Sequence, residues 1–489
     1  MKSSKAIVIG SGIAGIATGI RLAVKGYSVD VYEANNYIGG KLTAFSSGNY
    51  RFDSGPSLFT LPYLVDELFT LANRKPADYF KYQKIETACH YFWEDGTTLL
   101  AYADKNKFEQ EVEKKLNVPK NVIKKKLAHA KLIYDRTGGI FMEKSLHKAS
   151  TWLSIEVVKS FGKIAAYDLF KTMHGANLSL KNEKLIQLFD RYATYNGSSP
   201  YMAPGIMNII PHLENDIGTF LPYGGMHKIT LSLVKLASEL GVKFHLNSKV
   251  GRIETSANIA SSVLVNGETI AADLIISNMD VVPTYRKLLP QLKAPEKTLQ
   301  QERSSSALIF YWGIKKEFSQ LGLHNILFSE DYKTEFDHLF KHHTLYDDPT
   351  IYINITSKYE KKDAPKGSEN WFVMINAPSN KGQNWDKMIP IARKNILNKL
   401  TRNLKTNIEE LIEFEEVLEP RTIESKTSSH QGALYGAASN NRYAAFLRHP
   451  NFHRKIENLF FVGGSVHPGG GIPLCLLSAK IVDDLTPKA

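Results

Sequence analysis

Cysteine is nearly missing from this chain: Cys89 and Cys475 are the only two in 489 residues. Two thiols so far apart exclude a disulfide framework and a cysteine-rich zinc or iron–sulfur site. Long apolar runs are missing as well. No stretch reaches the roughly 18 residues that a membrane-spanning helix needs. The first apolar run, Ala6 to Ile9, gives way at once to glycines, which is not the pattern of a secretory leader. There is no internal repeat, no low-complexity segment and no recognised nucleic-acid-binding module. The cytoplasm is therefore the expected compartment.

What is present is an ordinary globular composition, 43% hydrophobic and 22% charged. The length suggests two or three domains. The charge is lopsided, with 61 Lys and Arg against 49 Asp and Glu, a formal +12. Such an excess suits an anionic membrane surface or a nucleic acid; without a nucleic-acid module, the membrane surface is the partner expected here.

The pattern opens as strand, turn, helix, strand. Ala6 to Ile9 reads as a strand buried on both faces. Gly10-Ser11-Gly12-Ile13-Ala14-Gly15 follows, and a helix runs on to Gly26. Ser28 to Tyr32 reads as a second strand, ending at Glu33-Ala34. A G-x-G-x-x-G placed between strand and helix is a dinucleotide fingerprint. Its glycines allow the tight turn, the approach of a pyrophosphate and close helix packing, and the phosphates meet the positive end of the helix dipole. Glu33 lies about 20 residues on, where a carboxylate accepts from ribose hydroxyls and disfavours a 2′-phosphate.

The middle of the chain reads as a hairpin over His90–Tyr102 and then mostly helix from Lys107 to Gly175, with Lys124-Lys125-Lys126 as its densest basic cluster. Thr151–Met173 mixes Trp152 and aliphatic residues with lysines, as an interfacial helix does; an ordinary core helix is the alternative. Asp190-Arg191 reads as a structural ion pair in an apolar region. A helix and strand return after Gly224-Gly225, strands are expected at Ser262–Val265, Leu274–Ile276, Ala307–Trp312, Ile351–Ile355 and Trp371–Ile375, and Leu459–Val462 leads through glycines into a last helix from about Leu474.

Six residues past Glu33 stands Gly39-Gly40-Lys41-Leu42-Thr43, then Gly55-Pro56-Ser57. With these motifs the chain resembles the flavin amine oxidase and carotenoid desaturase superfamily, in which a Gly-Gly-Arg-x-Ser/Thr loop lies along the flavin. Lys41 keeps the charge of that arginine but not its forked geometry. Asn247-Ser248-Lys249-Val250 resembles the segment that holds the adenine side of FAD, and Ser277-Asn278-Met279-Asp280 is a further family match. Gly463-Gly464-Ser465-Val466-His467-Pro468-Gly469-Gly470-Gly471-Ile472-Pro473 resembles the closing signature of the bacterial-type carotenoid (phytoene) desaturases. Its variant form, ending Gly-Gly-Gly-Ile-Pro-Leu-Cys, is similar to that of 1-hydroxycarotenoid 3,4-desaturases.

The resemblance implies an α/β fold. A Rossmann-type FAD domain would be built from residues 1–75, 220–285 and 455–489. An α+β substrate domain, with an antiparallel sheet and a helical, membrane-facing part, would come from 76–219 and 286–454. It implies FAD as cofactor, a carotenoid as substrate, oxygen or a quinone as electron acceptor, peripheral attachment to the cytoplasmic membrane, and no metal. A long hydrocarbon substrate calls for an apolar tunnel, and desaturation gives a hydride to the flavin and a proton to a base or water. His467 is the candidate base; a loop-shaping role is the alternative. Cys475 is expected as a small apolar residue. Other members of the fold remain open: a phytoene- or lycopene-type desaturase, an amine oxidase, or a non-catalytic prenyl-binding chaperone of the GDP-dissociation-inhibitor kind.

Overall fold

The computed structural model describes residues 4–153, 168, 170–441 and 443–489. Its first layer is a five-stranded parallel sheet. In spatial order it runs β5 (Leu459–Phe461), β4 (Leu274–Ser277), β1 (Lys5–Ile9), β2 (Ser28–Tyr32) and β3 (Lys243–His245). Three distant parts of the chain thus build one sheet. Ala6, Ile7 and Val8 are fully buried because both faces are covered, the condition of a parallel sheet. Helices α1 (Ile13–Val24), α2 (His227–Glu239) and α3 (Ile472–Leu485) supply one cover, and their apolar faces join Val29 and Val31 in a common core. Arg21 of α1 is 4% exposed and bridges Glu67 at 2.6 Å and Asp483 of α3 at 3.3 Å. The last helix begins at Ile472, two residues before the expected Leu474, because Pro473 is well suited to a first turn.

The second layer is a seven-stranded sheet: Ile412–Leu418, Ser306–Ile314, Glu369–Ala377, Ile351–Asn354, His324–Leu327, Thr87–Phe92 and Thr98–Tyr102. All its pairs are antiparallel except His324–Leu327 beside Thr87–Phe92. Side chains alternate between faces with period two. Leu308, Phe310 and Trp312, with Trp371, Val373 and Ile375, pack against helix Trp385–Leu404. Their alternates Ile309, Tyr311, Phe372, Met374 and Asn376 face a cavity between the layers. That helix and the edge strand Ile412–Leu418 are not expected from the sequence. Pro390 inside the helix breaks the helical reading; in the second turn it removes the bond to the Asp386 carbonyl, and the helix is held instead by its apolar face on the sheet.

Two basic or polar clusters differ from expectation. Lys124 and Lys125 are exposed, but Lys126 is one step further round the helix Lys120–Phe141 and is buried, bonded to Asn177 and set 5.2 Å over the Phe189 ring. Asp190 and Arg191 do not pair with each other: Asp190 accepts from His174 at 2.7 Å and Asn177 at 2.8 Å, while Arg191 pairs with Glu214 at 3.1 Å. Consecutive side chains near a helix end diverge by about 100° and cannot meet. Most of Thr151–Met173, residues 154–167 and 169, lies outside the described residues.

Candidate functional site

A cavity of about 1920 Å³ opens at the carboxyl ends of the parallel strands and continues beneath the seven-stranded sheet. All the site residues named from the sequence line it except Ser11, Gly15 and His467. The fingerprint glycines are required by space. A Cβ on Gly12 would stand 2.7 Å from Asn278 Oδ1, and one on Gly15 only 2.2 Å from the Gly10 carbonyl oxygen. Gly15 therefore serves packing, not lining. Gly10 turns at φ +96°, which excludes most side chains.

Glu33 organises this end. Its carboxylate accepts from Ser11 N at 2.9 Å and Ser11 Oγ at 2.8 Å, and from Asn35 N at 2.9 Å and Asn35 Nδ2 at 3.0 Å. The Ser11 side chain is thus turned toward Glu33 and does not line the cavity. Two of the four donors are side chains that can rotate away, leaving acceptor positions for a vicinal diol such as ribose. The Asn247–Val250 segment closes over the same point, with Ser248 N donating to the Glu33 carbonyl at 2.7 Å.

The second glycine loop lies directly on the first. Gly39 N donates to the Ser11 carbonyl at 3.0 Å. Lys41 reaches the carbonyls of Ala433 and Leu434, both at 3.1 Å, where burial lowers its ammonium to about 8. A forked guanidinium is not needed for two carbonyl acceptors. Gly55 packs so tightly on the Lys41 carbonyl that a Cβ would fall 1.8 Å from it. Asp53, just before, accepts from Met226 N at 2.9 Å and His227 N at 3.0 Å and so caps α2. Asn278 is a tie between chain segments: its Oδ1 accepts from Gly15 N at 3.2 Å and its Nδ2 donates to Val462 O at 3.2 Å.

The closing motif contributes Gly463, Gly464, Ser465 and the start of α3 to the wall. The N-termini of α1 and α3 both face the cavity, so two positive dipole ends converge there. These features fit a dinucleotide with an anionic pyrophosphate. His467 is not part of this wall. It is 1% exposed, its Nε2 donates to the Lys144 carbonyl at 2.9 Å, and burial lowers its pKa to about 3. The cause is the turn itself, which seats residue 467 against the 449–451 segment through its own N–H and carbonyl. Cys475 does line the cavity.

Several wall residues carry no motif. Tyr435, Arg303, Arg191, Tyr195, Glu214, His324 and Tyr352 reach the cavity only through folding. The alternation of the strands is the one signal that could have nominated Tyr352. Among the described residues no cluster of His, Cys, Asp and Glu could hold a metal ion, and no helix is long and apolar enough to cross a membrane.

Sheet, glycine loops and cavity together define a two-layer dinucleotide-dependent oxidoreductase. The family description of flavin containing amine oxidoreductases matches residues 13–482, and the chain belongs to that family. It is an FAD-dependent enzyme. Among curated relatives it is 57% identical, over 99% of both chains, to a 1-hydroxycarotenoid 3,4-desaturase of Flavobacterium sp. (strain P99-3). It is 33% identical to a 4,4'-diapolycopene oxygenase of Methylomonas sp, over 99% of this chain and 98% of the other. Solved structures with the same fold include an oxidoreductase from Methanosarcina mazei, with a TM-score of 0.63 at 15% identity and coverage of 98% and 100%. They also include a putrescine oxidase, with a TM-score of 0.63 at 13% identity and coverage of 99% and 98%.

Proposed function

We propose that the protein is a flavin-dependent carotenoid desaturase that forms the C3–C4 double bond beside a tertiary 1-hydroxyl group. The observation that carries this reading is a single cavity joining a dinucleotide cleft to an apolar chamber, in a chain so similar throughout its length to the Flavobacterium desaturase. Residues 1–75, 220–285 and 455–489 are taken as the FAD domain and the remainder as the substrate domain. Glu33 and the Lys249–Val250 turn would hold the adenosine. Gly10, Gly12 and the N-termini of α1 and α3 would hold the pyrophosphate. Gly39 to Leu42, Gly55 to Ser57 and Gly463 to Ser465 would border the ring system.

When bound, FAD supplies a two-electron acceptor for hydride from an allylic carbon. The protein's part is to orient the polyene and keep water out. Ile309, Phe372 and Met374 provide an apolar wall, and the helix behind them holds it rigid. His467 is assigned to shaping the closing loop, since its ring bonds to Lys144 and lies behind the wall. Oxygen or a membrane quinone fits as electron acceptor, because the sequence has no second dinucleotide fingerprint.

Attachment to the face of the cytoplasmic membrane belongs to the same reading, since the substrate dissolves in lipid. Leu153 and Phe170, at the two ends of the segment suspected of lying in the interface, stand 83% and 80% exposed, and Phe170 also borders the cavity. Large apolar side chains exposed to this degree favour a lipid surface.

The test is the purified, FAD-loaded protein in liposomes, given phytoene, lycopene or a 1-hydroxylated acyclic carotenoid, with products separated and read by absorption. A red-shifted product from the hydroxylated substrate alone is expected. Conversion of phytoene would replace the 3,4-desaturase by a phytoene-type enzyme, and no desaturation of any of them would overturn the class.

A further inference from the structure

Three cations border residues 433–437 in the cofactor half of the cavity. Lys41 donates to the carbonyls of Ala433 and Leu434, both at 3.1 Å. Arg448 donates to the Tyr435 carbonyl at 3.3 Å, the Ala437 carbonyl at 2.9 Å and Ser439 Oγ at 3.4 Å. Arg303 pairs with the Asp280 carboxylate. Among the described residues, Arg303 is the only one of the three with a carboxylate in salt-bridge contact. Arg448 is the extreme case. It is 4% exposed and lines the cavity, and all its acceptors are neutral. They satisfy N–H groups but leave the charge uncompensated. Its Nε makes no hydrogen bond and, unlike the unpaired Nε of Arg191 and Arg303, keeps accessible surface. Burial, with the Arg303 charge beside it, lowers the pKa to about 10, so the guanidinium stays charged at neutral pH.

A buried charge without a counter-ion is unfavourable unless a ligand brings the opposite charge. The position of Arg448 narrows the ligand. Its guanidinium lies on Gly469, where a Cβ would fall 3.2 Å from Cζ. The carbonyls it holds are seated on the closing motif: a Cβ on Gly436 would stand 2.6 Å from Ser465 Cα, and one on Gly470 2.7 Å from Tyr435 Cα. Gly463 to Ser465 is the segment taken above to border the ring system of FAD. The hydride lost by an allylic carbon carries two electrons and one proton, so the ring that receives it gains one negative charge. The second hydrogen leaves the substrate as a proton to water or a base and does not cancel that charge. A protein charge beside the ring tunes this balance.

We propose that Arg448 is the fixed counter-charge for reduced FAD: it favours the reduced over the oxidised cofactor and raises the two-electron potential of the bound flavin. The inference rests on the ring placement above and not on the choice of carotenoid. The pyrophosphate is the competing partner for this charge. It is anionic in both redox states, so a guanidinium devoted to it would set the affinity for FAD and leave the potential alone.

The test uses FAD-loaded wild type, R448Q and R448K without carotenoid. Three quantities are read: the FAD potential against a reference dye; the Kd of sulfite, which adds to the oxidised ring and leaves it negatively charged; and the Kd of oxidised FAD from fluorescence quenching. In R448Q sulfite is expected to bind about ten- to a hundredfold more weakly. The same factor lowers the potential by about 30–60 mV, at about 30 mV per tenfold for two electrons. The Kd of oxidised FAD is expected to change less than about threefold. R448K keeps the charge and is expected to recover most of both losses. If R448Q does not fold, R448M is read in the same way. A wild-type potential at or below that of free FAD would overturn the proposal whatever the variants do. Weaker binding of oxidised FAD with an unmoved potential would overturn it in favour of the pyrophosphate. A raised wild-type potential that R448Q leaves in place would overturn it by putting the ring out of reach of Arg448. A wild type that shows the expected potential and sulfite values, lost in R448Q, but converts no carotenoid would support this inference and overturn the proposed function.

Discussion

Glutamine at position 33 is the sharpest probe of the cofactor cleft. The Glu33 carboxylate takes four donors, two of them backbone N–H groups of Ser11 and Asn35 that cannot turn away. Glu33→Gln preserves volume but replaces one oxygen by an NH2, so one of those two backbone donors must face another donor. A hydrogen bond to a charged group contributes about 1.5–3 kcal/mol, and a buried donor left unmade costs about 1–3 kcal/mol. Ser11 sits inside the first glycine turn, so part of the loss falls on the turn's shape. A loss of about 1.5–3 kcal/mol in FAD binding corresponds to a Kd raised roughly ten- to 150-fold. The assay strips the flavin, then titrates FAD back while following the quenching of its fluorescence. Glu33→Ala, which removes both oxygens, is expected to bind at least as weakly as Glu33→Gln. A Gln variant within twofold of wild type would refute the argument that the carboxylate organises the turn.

Gly15→Ala puts a Cβ 2.2 Å from a backbone oxygen that cannot move aside, so the protein should purify with little flavin, read as the ratio of flavin to protein absorbance; a normal ratio would count against the packing role. Burial lowers Lys41 to about 8 from 10.5, so between these values the unfolded chain holds the extra proton and the FAD-free protein gains stability as pH rises. Lys41→Met should remove that gain, up to about 1.4 kcal/mol per pH unit, in denaturant unfolding at pH 8 and 10; identical slopes in the two proteins would contradict it. Burial pushes the Cys89 thiol up to about 12 and the Cys475 thiol to about 11, so neither should react with a thiol reagent in the native protein at pH 8 while both do so in denaturant; rapid native labelling would show that one of them is open to solvent.

The local sequence by itself determined the cofactor half of the protein. A strand, a glycine turn and a helix are contiguous, and Gly15 answers to Gly10 within the turn, although Gly12 answers to Asn278 from a distant strand end. Glu33 and the Gly39–Leu42 loop follow within the same short stretch, and the closing motif repeats the logic at α3. The substrate wall is different in kind. Phe372, Tyr352 and His324 come from three strands that pair in chain order, but Ile309 reaches them from a strand that skips two to pair with Glu369–Ala377, and Thr87–Phe92 joins the far side from more than two hundred residues away. Only the register of that sheet decides which alternate residues face the cavity. His467 shows the same limit from the other side: its motif is local and legible, but the direction of its ring depends on the Lys144 carbonyl, more than three hundred residues away. The hydrogen-bonded row of Ser57, Tyr352 and His324, with Asn354 beside it, likewise depends on those residues meeting in space. Hydrogen-bond partners drawn from three separate segments leave no spacing for a sequence to display.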